Sequence, residues 1–346
     1  MGSRKRAAVL AATGMMGQKF VSLLAGHPWF ELTGVAGSDR SVGKSYSSAI
    51  GGKIALPNGL GEMTVVDSNA KSLGDPDLVF SALPTEVAGP IEEDFAKHGY
   101  PVFTNASPHR MDRYVPLLNP EVNGEHAQMV EEQKRHEKRD GFIVANPNCT
   151  AAILTVSLKP LYEAFGLKTV IVSSMQAVSG AGYPGVPTLD IMGNVIPFIK
   201  GEEEKVETET NKMLGSSNTP AKIDVSASCH RVPTLHGHIE AVFAKTEKIA
   251  TPDQVADRMR RFVGLPQRLE LPSAPSQPIV VRDEEDRPQT RLDVDEGSGM
   301  AVSVGRIRED KALGGIKYIV LGHNLLRGGA GCSILNAELL QAEKLL

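Results

Sequence analysis

The chain has 346 residues, 41% hydrophobic and 23% charged, and a net charge of −4. Such a composition suits a globular protein of two domains with sizeable cores, and its slight acidity offers nothing to nucleic acid or an acidic membrane. Three cysteines, Cys149, Cys229 and Cys332, cannot frame a disulfide network and suggest a reducing compartment; no spacing fits zinc, and no apolar run reaches the roughly 18 residues of a membrane span.

Arg4-Lys5-Arg6 before an apolar run at 7–12 superficially resembles a signal start. The run is short and passes straight into Thr13-Gly14, which suits a first buried strand, so cytoplasm is the expected location. A helix is expected at 18–25, with strands at 32–36, 63–66, 78–82 and 102–104. Strands alternating with helices predict parallel βαβ units with right-handed crossovers. The charged run at 131–140 reads as a solvated helix face.

The turn Ala11-Ala12-Thr13-Gly14-Met15-Met16-Gly17 follows the first strand and opens the first helix. Backbone N–H groups and the helix dipole meet a pyrophosphate at this position in dinucleotide-binding domains, although Ala11 stands where the first glycine of that fingerprint belongs. The second strand ends at Gly37-Ser38-Asp39-Arg40-Ser41. An acidic residue here suits the ribose of NAD and an arginine the extra phosphate of NADP. Ser38, Arg40 and Ser41 together offer several phosphate donors, which favours NADP.

Ala145-Asn146-Pro147-Asn148-Cys149-Thr150 is the most informative segment. An apolar strand precedes it and a helix follows, so Cys149 lies in a helix's first turn, where the dipole favours its thiolate. Beyond it the texture changes. Strands at 169–174, 223–227, 238–245, 279–281, 301–307 and 316–320, with a helix at 254–263, predict a mixed sheet. Loops are expected at 271–278 and 282–287, and an amphipathic helix at 336–346 that returns to the first domain. The expected fold is α/β: a Rossmann-like dinucleotide-binding domain at 1–148 plus 324–346, and an α+β catalytic and dimerisation domain at 149–323.

A cysteine beside a dinucleotide suggests aldehyde oxidation through a thiohemiacetal and a thioester. That chemistry needs a base and a grip on the substrate. Arg231 can fork onto a carboxylate, and His230, His236 and His238 are all candidate bases. Read alone, Glu209 and Lys212 form an exposed i, i+3 ion pair on a charged helix, and Arg110 a solvated loop residue.

Over nearly its whole length the chain resembles the aspartate-β-semialdehyde dehydrogenases, most closely their archaeal and fungal branch. Asn146-Pro147-Asn148-Cys149-Thr150 is similar to the nucleophile segment of that family. The resemblance implies that Gln176 orients the acyl intermediate, that Arg231 binds the substrate carboxylate and that His238, seven residues on, is the base. It implies substrate contacts for Glu209, Lys212 and Arg110, the last two at phosphate. Cofactor contacts would fall on Thr13, Gly14, Met15, Met16, Ser38, Arg40 and Ser41, then Ser81, Leu83 and Pro84. Near the nicotinamide they would fall on Ser179, Gly180 and Asn324. Asn148 and the Cys149 N–H are oxyanion candidates. The expected function is NADP-dependent interconversion of 4-phospho-L-aspartate and L-aspartate 4-semialdehyde, toward threonine and methionine, by a homodimer or homotetramer with no metal. The rivals are a CoA-thioester reductase such as malonyl-CoA reductase, N-acetyl-glutamyl-phosphate reductase, and a catalytically silent NADP-binding regulator.

Overall fold

A computed structural model describes residues 4–52, 56 and 59–346. The chain forms two compact units. The first comprises Met1–Leu118, His126–Asn146 and Ser333–Leu346, and the second Asn119–Glu125 and Pro147–Cys332. Compared with the division expected from sequence, residues 119–125, 147–148 and 324–332 group with the second unit. The reason lies in buried polar contacts. Asn119 Nδ2 donates to the Ala152 carbonyl at 3.0 Å, and Arg327 forks onto Glu121 at 2.5 and 2.7 Å, both side chains fully buried.

In the first unit, strands β1 (Lys5–Leu10), β2 (Phe30–Gly37), β3 (Val66–Asp67), β4 (Leu78–Ser81), β5 (Val102–Thr104) and β6 (Ile143–Ala145) form one sheet. Their order is β3-β2-β1-β4-β5-β6, every pair parallel. The strand order reverses beside β1, so the carboxyl ends of β1 and β4 flank a switch point, where ligands bind in such sheets. All four β4 residues are buried, as expected of a parallel sheet covered on both faces. Helix α1 (Met15–Leu24) buries Gly17, Phe20, Val21 and Leu24, one face at helical spacing. Phe20 stacks on Phe80 at 5.1 Å, and Phe80 meets Phe103 at 5.6 Å, continuing the aromatic packing across the sheet.

Three expected elements of this unit differ in detail, and the charged run keeps its solvated face. The first helix begins at Met15, three residues early, because Gly14 already serves as its N-cap. The strand expected at 63–66 is confined to Val66–Asp67, while Thr64 makes an isolated bridge to Ser45. The charged run forms the end of α2 (Met129–Glu137), largely exposed apart from Gln133, whose amide bridges the Ile143 backbone and the Tyr114 carbonyl. The last helix, α7 (Ala330–Ala342), is buried at every residue from 330 to 340. It is therefore not amphipathic. Two of its polar residues find partners inside: Glu338 pairs with His27 at 2.8 Å, and Asn336 Nδ2 donates to the Leu118 carbonyl at 3.1 Å.

The second unit holds β7 (Leu167–Gln176), β8 (Asp224–Arg231), β9 (His238–Thr246), β10 (Ile279–Val281), β11 (Val302–Asp310) and β12 (Gly315–Gly322). Their order is β10-β11-β12-β9-β7-β8, with β10–β11 and β7–β8 parallel and the rest antiparallel. Helix α3 (Cys149–Phe165) packs on β9, β11 and β12 and against α4 (Glu202–Leu214) and α5 (Pro252–Arg260). A short α6 (Thr290–Asp293) follows β10, and α7 (Ala330–Ala342) ends the chain. Alternate residues of β7 and β9 are buried, as are Cys229 and Arg231 at the end of β8, while Ile171, Ser226 and Ser228 remain open. Among the described residues, no helix is long and apolar enough to cross a membrane.

Candidate active site

In the first unit, the turn after β1 is tight. Ala11 adopts φ +52°, the left-handed region that favours glycine, and the Gly14 N–H closes on its carbonyl at 3.1 Å. Gly17 is required where it stands, since a Cβ there would lie 2.2 Å from the Ala11 carbonyl oxygen. Gly14 caps α1 without a side chain, so the first N–H groups of the helix face the mouth of the turn. At the end of β2, Ser41 bonds the Ser38 carbonyl through both its N–H, at 2.8 Å, and its hydroxyl, at 2.9 Å, leaving Arg40 exposed at the tip. A glycine-lined helix N-terminus beside an exposed arginine fits a phosphorylated dinucleotide.

Other expected contacts of this unit have different surroundings. The Ser81 hydroxyl is fully buried and donates to Glu92 at 2.6 Å, as does Thr104. Leu83 is buried and Pro84 exposed, both in the loop leaving β4. Arg110 is buried rather than solvated and donates to the Asn105 carbonyl at 2.8 Å, which ties it to its own loop.

The second unit gathers most of the remaining candidates around Cys149. Asn148 caps α3: its Oδ1 accepts from the N–H groups of Thr150 at 3.0 Å and Ala151 at 3.1 Å. Its Nδ2 donates to Glu202 at 2.9 Å, so this side chain builds the turn from both ends. The cap fixes the first turn and, with it, the half-buried thiol.

His238 opens β9 and is fully buried, with Nε2 3.2 Å from the Cys149 sulfur. The three candidate histidines separate here. His236 turns Nδ1 to the Ser179 hydroxyl at 3.0 Å, and His230 turns Nδ1 to the Ser174 carbonyl at 3.2 Å. Burial, followed by the positive charge of Arg231, lowers His238 to about 3, so the ring is neutral at neutral pH. The Ala177 N–H donates to its Nδ1 at 3.2 Å. The neutral ring therefore carries its proton on Nε2, facing the sulfur.

Arg231 ends β8 directly opposite Gln176 at the end of β7. It is buried, and its Nη1 donates to the Ala177 carbonyl at 2.8 Å. Gly180 makes room for the cluster, because a Cβ there would stand 2.7 Å from Arg231 Nη1 and 3.2 Å from His238 Cε1. Ser179 and Asn324 meet through an Nδ2–H···Oγ bond of 2.9 Å, and Asn324 Oδ1 accepts the Gly237 N–H at 2.9 Å.

Glu209, expected on residue type alone to be exposed, is buried and accepts the Asn148 N–H at 2.6 Å. Lys212, one turn later, is half-buried. Three residues absent from the sequence reading also belong here. Glu202 accepts from Asn148, from Gln176 at 3.1 Å and from Thr150 at 3.5 Å. Glu240 is fully buried two residues after His238. Gly328 packs on Cys149, where a Cβ would come within 2.6 Å of the cysteine Cβ. Glu202 was hidden in a run of glutamates. Glu240 left a signal, since it falls in the buried phase of an alternating strand.

Known proteins resemble the chain in both units. Residues 6–130 match the family described as semialdehyde dehydrogenase, NAD binding domain, and residues 158–327 its dimerisation domain. The aspartate-semialdehyde dehydrogenase of Methanothermobacter thermautotrophicus is 52% identical, over 96% of this chain and 97% of its own. That of Schizosaccharomyces pombe is 44% identical, over 96% and 97%. The crystal structure of the Candida albicans enzyme with NADP has a TM-score of 0.91 at 39% identity, covering 99% of this chain and all of that one. An aspartate semialdehyde dehydrogenase II from Vibrio cholerae, complexed with ASA, has a TM-score of 0.78 at 26% identity, covering 98% and 99%.

Proposed function

This chain belongs to the aspartate-semialdehyde dehydrogenase family, and from that premise we propose that Cys149 carries the reversible NADP-dependent interconversion of 4-phospho-L-aspartate and L-aspartate 4-semialdehyde. The observation that carries this reading is the Cys149 sulfur 3.2 Å from His238 Nε2, with the buried Arg231 charge acting on that ring. In the direction of synthesis the product aldehyde leads toward threonine and methionine.

In the oxidative direction, the Cys149 thiolate adds to the aldehyde carbon and the carbonyl oxygen becomes an alkoxide. Arg231 holds the substrate carboxylate through its guanidinium, anchored on the Ala177 carbonyl. NADP, when bound, would supply the hydride acceptor at the adduct carbon in this direction and, reduced, the hydride donor in the other. The Nε2–H of His238 lies beside the sulfur and supplies a donor to the adduct. To accept a proton as a base, the ring must give up its Ala177 contact. Burial beside Arg231 then makes the imidazolium short-lived. Phosphate oxygen attacks the thioester carbon, the C–S bond breaks, and Cys149 leaves as thiolate with 4-phosphoaspartate as product.

The resemblance assigns phosphate to Lys212 and Arg110, and the substrate amino group to Glu209. Gln176, held by Glu202 and Ser174, is oriented for the acyl group. NADP would be held by Thr13, Gly14, Met15 and Met16 at its pyrophosphate and by Ser38, Arg40 and Ser41 at its 2′-phosphate. Ser179, Gly180 and Asn324 would meet the nicotinamide. The open sheet face and the exposed Tyr183, Leu189, Met192 and Phe198 support a homodimer in the second unit. The proposed location is the cytoplasm.

Reduction of NADP in the presence of aspartate semialdehyde, with and without phosphate, tests the function. Strong phosphate dependence, abolished in C149A while NADP binding survives, is expected. Turnover that needs CoA instead of phosphate would establish the CoA-thioester rival, and an inert protein that binds NADP the regulatory one.

A further inference from the structure

Glu202 opens α4 and receives three donors on one oxygen, Oε1. They are Asn148 Nδ2 at 2.9 Å, Gln176 Nε2 at 3.1 Å and the Thr150 hydroxyl at 3.5 Å. The donors come from the cap before Cys149, the end of β7 and the first turn of α3. One carboxyl thus joins both amide side chains that flank the nucleophile. Its place in the first turn of a helix suits a negative charge.

Glu240 lies on the buried face of β9, in phase with His238 and opposite Ser174 in the β7–β9 register. Its side chain is fully buried, and neither carboxyl oxygen has a hydrogen-bond partner among the described residues. A buried carboxylate without donors is far costlier than a neutral carboxylic acid.

We propose that Glu202 and Glu240 form one positioning unit behind Cys149: Glu202 is the anionic clamp that holds Asn148 and Gln176 in place, and Glu240 is a neutral carboxylic acid that spares the clamp a second negative charge. Burial, and then the charge of Glu202, push Glu240 well above the usual carboxylate range. The neighbouring Cys229 thiol, pushed up to about 12 chiefly by burial, adds no charge of its own. Glu202 acts through the two amides and need not touch the reacting atoms. This inference rests on the reading of Cys149 as the nucleophile.

The test uses the full chain and its variants E202Q, E202A and E240Q. Glu202→Gln keeps an acceptor oxygen but removes charge assistance from the bonds to Asn148 and Gln176. A fall in kcat of about tenfold is expected, with KM for NADP and for aspartate semialdehyde within about twofold of wild type. E202A should fall further, since both amides then lose their anchor. Difference infrared spectra of wild type against E240Q should lose the carbonyl stretch of a protonated carboxylic acid at neutral pH. This measurement stands even if E202A fails to fold. An E202Q enzyme with wild-type kcat, or one whose loss lies wholly in KM, would overturn the clamp. Loss of a carboxylate band in E240Q would overturn the neutral partner. A C149A protein that still turned over would instead refute the nucleophile reading itself.

Discussion

Replacing Gly328 by alanine probes how finely the Cys149 turn is set. A Cβ at this position would lie 2.6 Å from Cys149 Cβ, 2.9 Å from its Cα and 2.8 Å from the Asn324 carbonyl oxygen. Ordinary carbon–carbon contact is about 3.5–4.0 Å, so the cysteine backbone or the 324–328 turn must retreat by about 1 Å. Overpacking of this kind costs about 1–3 kcal/mol. For a unit of this size, that cost lowers Tm by roughly 2–12 °C. A nucleophile displaced by about 1 Å loses on the order of 10²-fold in rate. The expected G328A enzyme is folded, slightly less heat-stable, about a hundredfold lower in kcat and unchanged in NADP affinity. Steady-state turnover of the semialdehyde, a thermal melt and the rate of Cys149 alkylation by iodoacetamide measure these together. A kcat within about twofold of wild type would refute the reasoning, since the turn would then have absorbed the methyl group without moving the sulfur.

Arg231→Lys exchanges a planar fork for a point charge and gives up the bond to the Ala177 carbonyl. The KM for aspartate semialdehyde should rise at least about tenfold, and an unchanged KM would remove Arg231 from the carboxylate role. Arg327→Met leaves the Glu121 carboxylate buried without its partner, which should cost about 3–5 kcal/mol in urea unfolding. Adding Glu121→Leu should recover much of that loss; no recovery would place the cost elsewhere. His238 is held at about 3 against an ordinary 6.5, so the unfolded chain gains a proton that the folded ring refuses. Stability linked to this group is therefore full above pH 6.5 and lost as pH falls toward 3, by about 2 kcal/mol at pH 5. H238Q should lose that much of its acid sensitivity relative to wild type, and identical pH profiles would show that the ring is protonated in the folded protein.

The elements with strong local patterns were legible in the sequence. The alternating βαβ texture gave the parallel sheet, and the polar residues around Cys149 marked its turn, because both depend on neighbours in the chain. Helix α7 was misread for the opposite reason. Asn336 and Glu338 look like a solvent face until the distant Leu118 carbonyl and His27 supply buried partners. Glu209 and Arg110 were equally opaque, since charged residues on a charged helix or in a loop give no local sign of burial. Without the family resemblance, three histidines within nine residues were all candidate bases, His230 disfavoured by its neighbour Arg231. Strand register and the 237–238 turn separate them, aiming one ring at the sulfur and the others at Ser179 and the Ser174 carbonyl.

The composition of the first unit from three stretches of chain bears on the order in which the protein is made. His27 is buried, and the carboxylate that pairs with it, Glu338, is synthesised 311 residues later. The Leu118 carbonyl likewise waits for Asn336, 218 residues later. A ribosome that has delivered all six strands of the first sheet has therefore not delivered the means to finish that unit. The second unit, whose 186-residue stretch Pro147–Cys332 emerges in between, has its full sheet first. Long-range closure of this kind slows folding and leaves the early chain exposed while it waits. A chain lacking residues 333–346 would thus carry the first sheet without the partners that His27 and the Leu118 carbonyl meet in that unit.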